Sequence, residues 1–103
     1  MSRSMLERRL TEVSDRLKRL RQDLAVAEEQ LAHFAGEAAE ARLRALVSET
    51  PLSVREHREA QRHADAMDKH RGDLLREIEK LERSQDDLLD KLIEAGRAEG
   101  GRA

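Results

Sequence analysis

Cysteine, tryptophan and tyrosine are absent from this 103-residue sequence, phenylalanine occurs once, at Phe34, and proline once, at Pro51. Without cysteine there are no disulfides, no thiol nucleophile and no cysteine zinc site. That is compatible with a reducing cytosol. With one aromatic side chain and 41% charged residues, the chain cannot fill a thick globular core. No apolar run approaches the roughly 18 residues of a membrane span, and the N-terminus has no apolar signal core. The cytoplasm is therefore the expected location. Charge of one sign is also missing: the net charge is -2, acids and bases are mixed along the length, and no block of five like charges forms a nucleic-acid arm or an acidic tail. Arginine far outnumbers lysine and alanine is abundant, a composition that fits a high-GC bacterial genome.

What the sequence has in abundance is a heptad. From Leu6 every third and fourth residue is apolar: Leu10, Val13, Leu17, Leu20, Leu24, Ala27, Leu31, Phe34, Ala38, Ala41 and Ala45. A spacing that never slips over this length is the pattern of a coiled-coil seam rather than of a surface helix. High charge with few aromatics also describes disordered chains, but the unbroken heptads argue against disorder. A narrow core needs only these seam positions. Leucine dominates the stripe before Gly36 and alanine after it, so the distal half should be thinner.

A second heptad follows the Ser48–Ser53 break. Its positions are Ala60, Met67, Leu74, Leu81, Leu88 and Ala95, alternating with His57, Ala64, Arg71, Ile78, Gln85 and Leu92. Two helices joined by a short loop run antiparallel. The expected fold is all-α: two long helices in an antiparallel coiled-coil hairpin, roughly 65 Å per arm at 1.5 Å per residue, with dimerisation into a four-helix bundle as a further expectation. The expected boundaries are a frayed N-terminus over 1–4, a hairpin over 5–95 and a disordered tail over 96–103. Within the hairpin, one helix spans 5–47, the turn 48–52 and the second helix 53–95. Ser4 with Glu7 fits a capping box for the first helix. Thr50 before Pro51 reads as the N-cap of the second, with Ser53 and Glu56 as an alternative box. Gly36 is the weak point of the first helix, and Gly96 the expected stop of the second.

Large-against-small packing selects a register in which Leu6 faces Leu92, Leu17 faces Leu81, Leu20 faces Ile78, Phe34 faces Ala64 and Arg71 faces Ala27. A register shifted by one heptad would put Phe34 against Arg71 and Leu20 against Gln85. Arg71 and Gln85 in the seam read first as register devices, because polar groups there disfavour wrong alignments; a functional contact is the other reading.

Chemistry finds little to work with. His33, His57, His63 and His70 form no His-x3-His pair and no HExxH motif, and zinc needs three or four convergent ligands. Acids such as Asp86 and Asp87 lack the concavity that would desolvate them. There is no glycine-rich phosphate loop, and no serine is placed to be activated by a histidine. No enzyme activity, metal or cofactor is expected. Arg3, Arg8, Arg9, Arg16, Lys18, Arg19 and Arg21 could meet phosphates, but Glu7, Glu12, Asp15 and Asp23 are interleaved with them, so a solvated face is the favoured reading over a nucleic-acid surface. A membrane partner is not expected either.

Two surpluses of apolar residues remain. Around the turn, Leu43, Leu46, Val47, Leu52 and Val54 cluster with Glu49, Arg42, Arg44 and Arg55. Either Leu46, Leu52 and Val54 cap the open end of the hairpin, or the cluster is an exposed apolar tip with a basic collar that docks on a protein partner. On the second helix, Leu75, Leu89 and Ile93 flank the seam, and a helix with a widened apolar face has two neighbours. They are the candidate self-association surface of a homodimer.

The segment from Leu43 to Leu52, leading into Arg55-Glu-His-Arg-Glu, resembles small, uncharacterised coiled-coil proteins of high-GC Gram-positive bacteria. That resemblance implies no activity. The expected function is a non-enzymatic interaction or scaffold module presenting its hairpin tip or flank to a protein partner. Coiled-coil-finger regulators of RNA polymerase are similar in their long finger and acidic tip, here Glu49 and Glu56, although the globular domain that usually anchors such fingers is missing. A chaperone-like or membrane-associated hairpin is a third reading.

Overall fold

The computed structural model describes residues 1–100. They form two helices, α1 at Arg3–Ser48 and α2 at Pro51–Gly100, joined by Glu49 and Thr50 alone. Among the described residues there is no strand. Every position of the α1 heptad from Leu6 to Ala45 is buried or half-buried, and so is every seam position of α2 from His57 to Ala95. The apolar spacing therefore marks the faces that meet.

Contacts divide the chain into two units, a proximal one of Met1–Gln22 with the described residues from Arg76 onward, and a distal one of Asp23–Leu75. In the proximal unit, Leu6, Leu17, Leu20, Ile78 and Leu88 are buried. On α1 of this unit only Ser14 escapes full exposure outside the stripe, and its hydroxyl accepts a hydrogen bond from Gln85 Nε2 at 3.1 Å. The polar seam residue thus finds its partner at the edge of the seam. Ion pairs of Arg3 with Glu99, Arg16 with Glu77 and Arg21 with Glu82 tie the two helices at the surface. Exposed pairs of this kind contribute little stability each.

In the distal unit the buried apolar side chains are Ala27, Ala38, Ala41 and Ala64, with Leu74 the one large member. Phe34 is half-buried. It stacks on His63 with centroids 5.7 Å apart and meets His33 edge-on at 5.5 Å. Arg71 is half-buried, and its Nε reaches Glu28, the residue next to buried Ala27, at 3.4 Å. Phe34 beside His63 in this unit, and Gln85 beside Ser14 in the proximal one, agree with the register in which large faces small. The alternative, with Phe34 against Arg71 and Leu20 against Gln85, does not occur.

The ends differ from the expected boundaries. α1 starts at Arg3, not Met5. Ser2 is its N-cap instead of Ser4: the Ser2 hydroxyl accepts from Met5 N–H at 3.2 Å, and Leu6 N–H donates to the Ser2 carbonyl. Glu7, expected in a capping box with Ser4, instead pairs with Arg3 one turn earlier. α2 starts at Pro51 and passes through Gly96 to Gly100. No described glycine adopts a positive φ, so Gly96 does not act as a stop, and Glu99 beyond it holds Arg3. Of the expected tail, residues 101–103 lie outside the described residues.

Candidate functional site

The turn of the distal unit is built by local chemistry. Glu49 sits in the left-handed region at φ 51°, and its N–H donates to the Ala45 carbonyl at 3.0 Å. A single left-handed residue closing the last turn in this way is a recognised helix C-cap, usually filled by glycine. Thr50 then caps α2. Its Oγ1 accepts from Ser53 N–H at 3.1 Å, its own N–H donates to Ser53 Oγ at 3.2 Å, and the Ser53 hydroxyl lies 2.9 Å from the Thr50 carbonyl. This is a reciprocal box with serine in the place normally taken by glutamate or glutamine. Pro51 occupies the first helical position, where its missing N–H costs nothing. Ser53 is buried under the turn.

The apolar residues expected to close this end do not do so. Leu43, Leu46 and Leu52 remain 63%, 64% and 61% exposed, and Val47 84%; Val54 is exposed to a lesser degree. The hydroxyl network of Thr50 and Ser53 shuts the hairpin, which leaves the leucines with no role inside it. Arg42, Arg44, Arg55 and Glu49 are exposed around them.

The two flanks of the distal unit differ in character. One carries an open groove of about 470 Å³ lined by Ala35, Ala38, Ala39, Arg42, Leu43, Leu46, Gln61 and Ala64. It is apolar, and its one charge is basic. The other flank holds a groove of Glu37, Glu40, Ala41, Arg44, Glu56 and Ala60, in which three carboxylates surround one guanidinium. At the turn itself Arg55, Arg58 and Arg62 line an open cleft with Glu49 and Glu59. Ala35, Ala39, Gln61, Arg58 and Arg62 were not among the expected tip residues. The signal that marks the alanines is a second apolar spacing on the outside of α1, hidden by the stronger one of the seam.

Of the expected self-association residues, Leu75 is half-buried in the distal unit, whereas Leu89 and Ile93 are exposed in the proximal unit. Among the described residues no three histidine or acidic side chains converge as a metal would require. His33 lies 3.2 Å from Glu37, one turn along the same helix. No helix among the described residues is long and apolar enough to cross a membrane. Among the described residues, the one guanidinium pushed above its ordinary pKa is exposed Arg3, by Glu99 first and Glu7 second, and it belongs to the proximal unit. No protein-family model matches the chain, and none of the curated proteins or solved structures compared with it is similar to it.

Proposed function

We propose that the chain is a non-enzymatic interaction module that presents the tip and flank of its distal unit to a protein partner and acts as a homodimer. The observation that supports this most is the exposure of Leu43, Leu46, Val47 and Leu52 beside a turn that is already complete without them. Grouped, largely exposed apolar side chains are a feature of protein-binding surfaces. The arginines around them supply the polar rim such surfaces carry.

The test is a Leu46→Asp/Leu52→Asp variant beside the parent chain. Because both side chains are exposed, helix content and thermal midpoint should stay unchanged while capture of the partner from native lysate is lost. Retention of the same partner by the variant would remove the tip from the account. A second reading, a regulator that reaches into RNA polymerase, is favoured only by the acid on the two-residue turn. It predicts that polymerase co-purifies and that Glu49→Ala abolishes an effect on transcription.

A further inference from the structure

We infer that the open groove on the apolar flank of the distal unit receives an acidic amphipathic helix of a partner protein, its apolar side on the alanines and its carboxylates against Arg42, Arg58 and Arg62. This rests on the docking reading above and names the chemical class of the partner.

Shape favours a helix. The groove is apolar, about 470 Å³ in volume, and its α1 wall runs from Ala35 to Leu46, about three helical turns. Ala38 and Ala64, both buried in the seam, form its floor. A helix laid in such a groove anchors itself by apolar side chains spaced one turn apart.

Charge selects the acidic partner. Arg42 is the one charge lining the groove. On α2 the groove is lined by Gln61, and Arg58 and Arg62, one turn before it and one residue after it, line the cleft beside the turn together with Arg55. Groove and cleft thus carry four guanidinium groups against the carboxylates of Glu49 and Glu59. The opposite flank reverses the balance, with Glu37, Glu40 and Glu56 around Arg44. The four arginines are exposed. Among the described residues none of them forms an ion pair, although Glu59 lies one turn from both Arg55 and Arg62, whereas Arg71 in the same unit is held by Glu28. Arginine grips carboxylates through two parallel hydrogen bonds, and charge of opposite sign around an apolar contact decides which partners are accepted. Away from the turn the sign changes: Asp65 accepts a hydrogen bond from Gln61 Nε2 at 2.9 Å. The partner's acids therefore belong at the end nearest the turn. An anionic bilayer fits less well, because Glu49 on the turn and Glu56 and Glu59 just beyond it would meet headgroups of their own sign.

The experiment is fluorescence anisotropy on the full chain with a labelled, lactam-stapled helix of about four turns, leucine and alanine on one side and glutamate on the other. A contact this short is well below a standard interface, so a dissociation constant on the order of micromolar is expected. The same probe with lysine for glutamate, and a scrambled one with no apolar side, should bind about 10-fold or more weakly. Arg42→Glu/Arg58→Glu should weaken the acidic probe by a similar factor at unchanged helix content, and Arg8→Glu/Lys18→Glu in the proximal unit should leave it bound. Failure of the acidic probe to bind, equal binding of the lysine or scrambled probe, or indifference to Arg42→Glu/Arg58→Glu would each overturn the inference. So would displacement of the probe by phosphatidylglycerol vesicles or a DNA duplex in preference to unlabelled peptide. Lysate capture separates this inference from the docking reading. A partner kept by Arg42→Glu/Arg58→Glu but lost by Leu46→Asp/Leu52→Asp would overturn the acidic helix and leave the docking reading standing.

Discussion

Glu49 concentrates the strain of the turn in one backbone position. A residue with a Cβ in the left-handed region costs roughly 1–2 kcal/mol, and glycine removes the clash at the expense of a freer unfolded chain. Glu49→Gly should therefore raise stability by about 1 kcal/mol, which in a chain of this size moves the thermal midpoint upward by about 4–8 °C. A fall in the midpoint would mean that the glutamate side chain, and not the backbone, holds the turn. Arg3 shows the opposite case of a perturbed residue without a pH signature. A base whose pKa is raised in the fold stabilises it while protonated, so the Arg3 contribution persists across the working range and is lost only in strong alkali. At this scale legibility depended on how local the chemistry was. Thr50 and Pro51 could be read because capping involves a side chain and a backbone group three residues on. Ser4 with Glu7 met the capping rule on paper, yet Ser2 caps the helix and Glu7 pairs with Arg3 instead. Gly96 was misread as a stop for a similar reason: a glycine permits a left-handed residue without requiring one.

At the scale of the helices, the two units differ in what they bury. The fully buried apolar side chains are leucine and isoleucine in the proximal unit and mainly alanine in the distal one. Apolar burial stabilises by about 25 cal/mol per Å², and an alanine methyl offers far less area than a leucine side chain. Native-state hydrogen exchange should accordingly show earlier opening for amides around Ala38–Ala41 and Ala60–Ala64 than for those around Leu17–Leu20 and Ile78–Leu81. Equal protection in both units would show that the Phe34–His63 stack and the Thr50–Ser53 box compensate for the thin core. The seam itself was fully legible, because a heptad spacing fixes which side of a helix faces its partner whatever else the sequence does. Burial of the neighbours was less so. Ser14 is drawn in by Gln85 across the interface, and Leu46 and Leu52 are left out because two hydroxyls complete the turn first. Both outcomes depend on contacts between distant residues, which a one-dimensional spacing does not encode.

For the molecule as a whole, what it binds depends on chemistry outside the chain, which is why composition and periodicity yielded a fold far more readily than a function. The absence of cysteine has a practical benefit here, since introduced thiols are the only ones present. The claim on which everything else depends is that a single chain folds back on itself in one register. A Ser14→Cys/Gln85→Cys variant, treated at high dilution with a short bis-maleimide and examined for mass and mobility, tests it most directly. The account predicts a monomer-mass product cross-linked within the chain, in yield independent of concentration. Cross-links that join only different chains, or that form more readily between Leu20→Cys and Gln85→Cys, would contradict it.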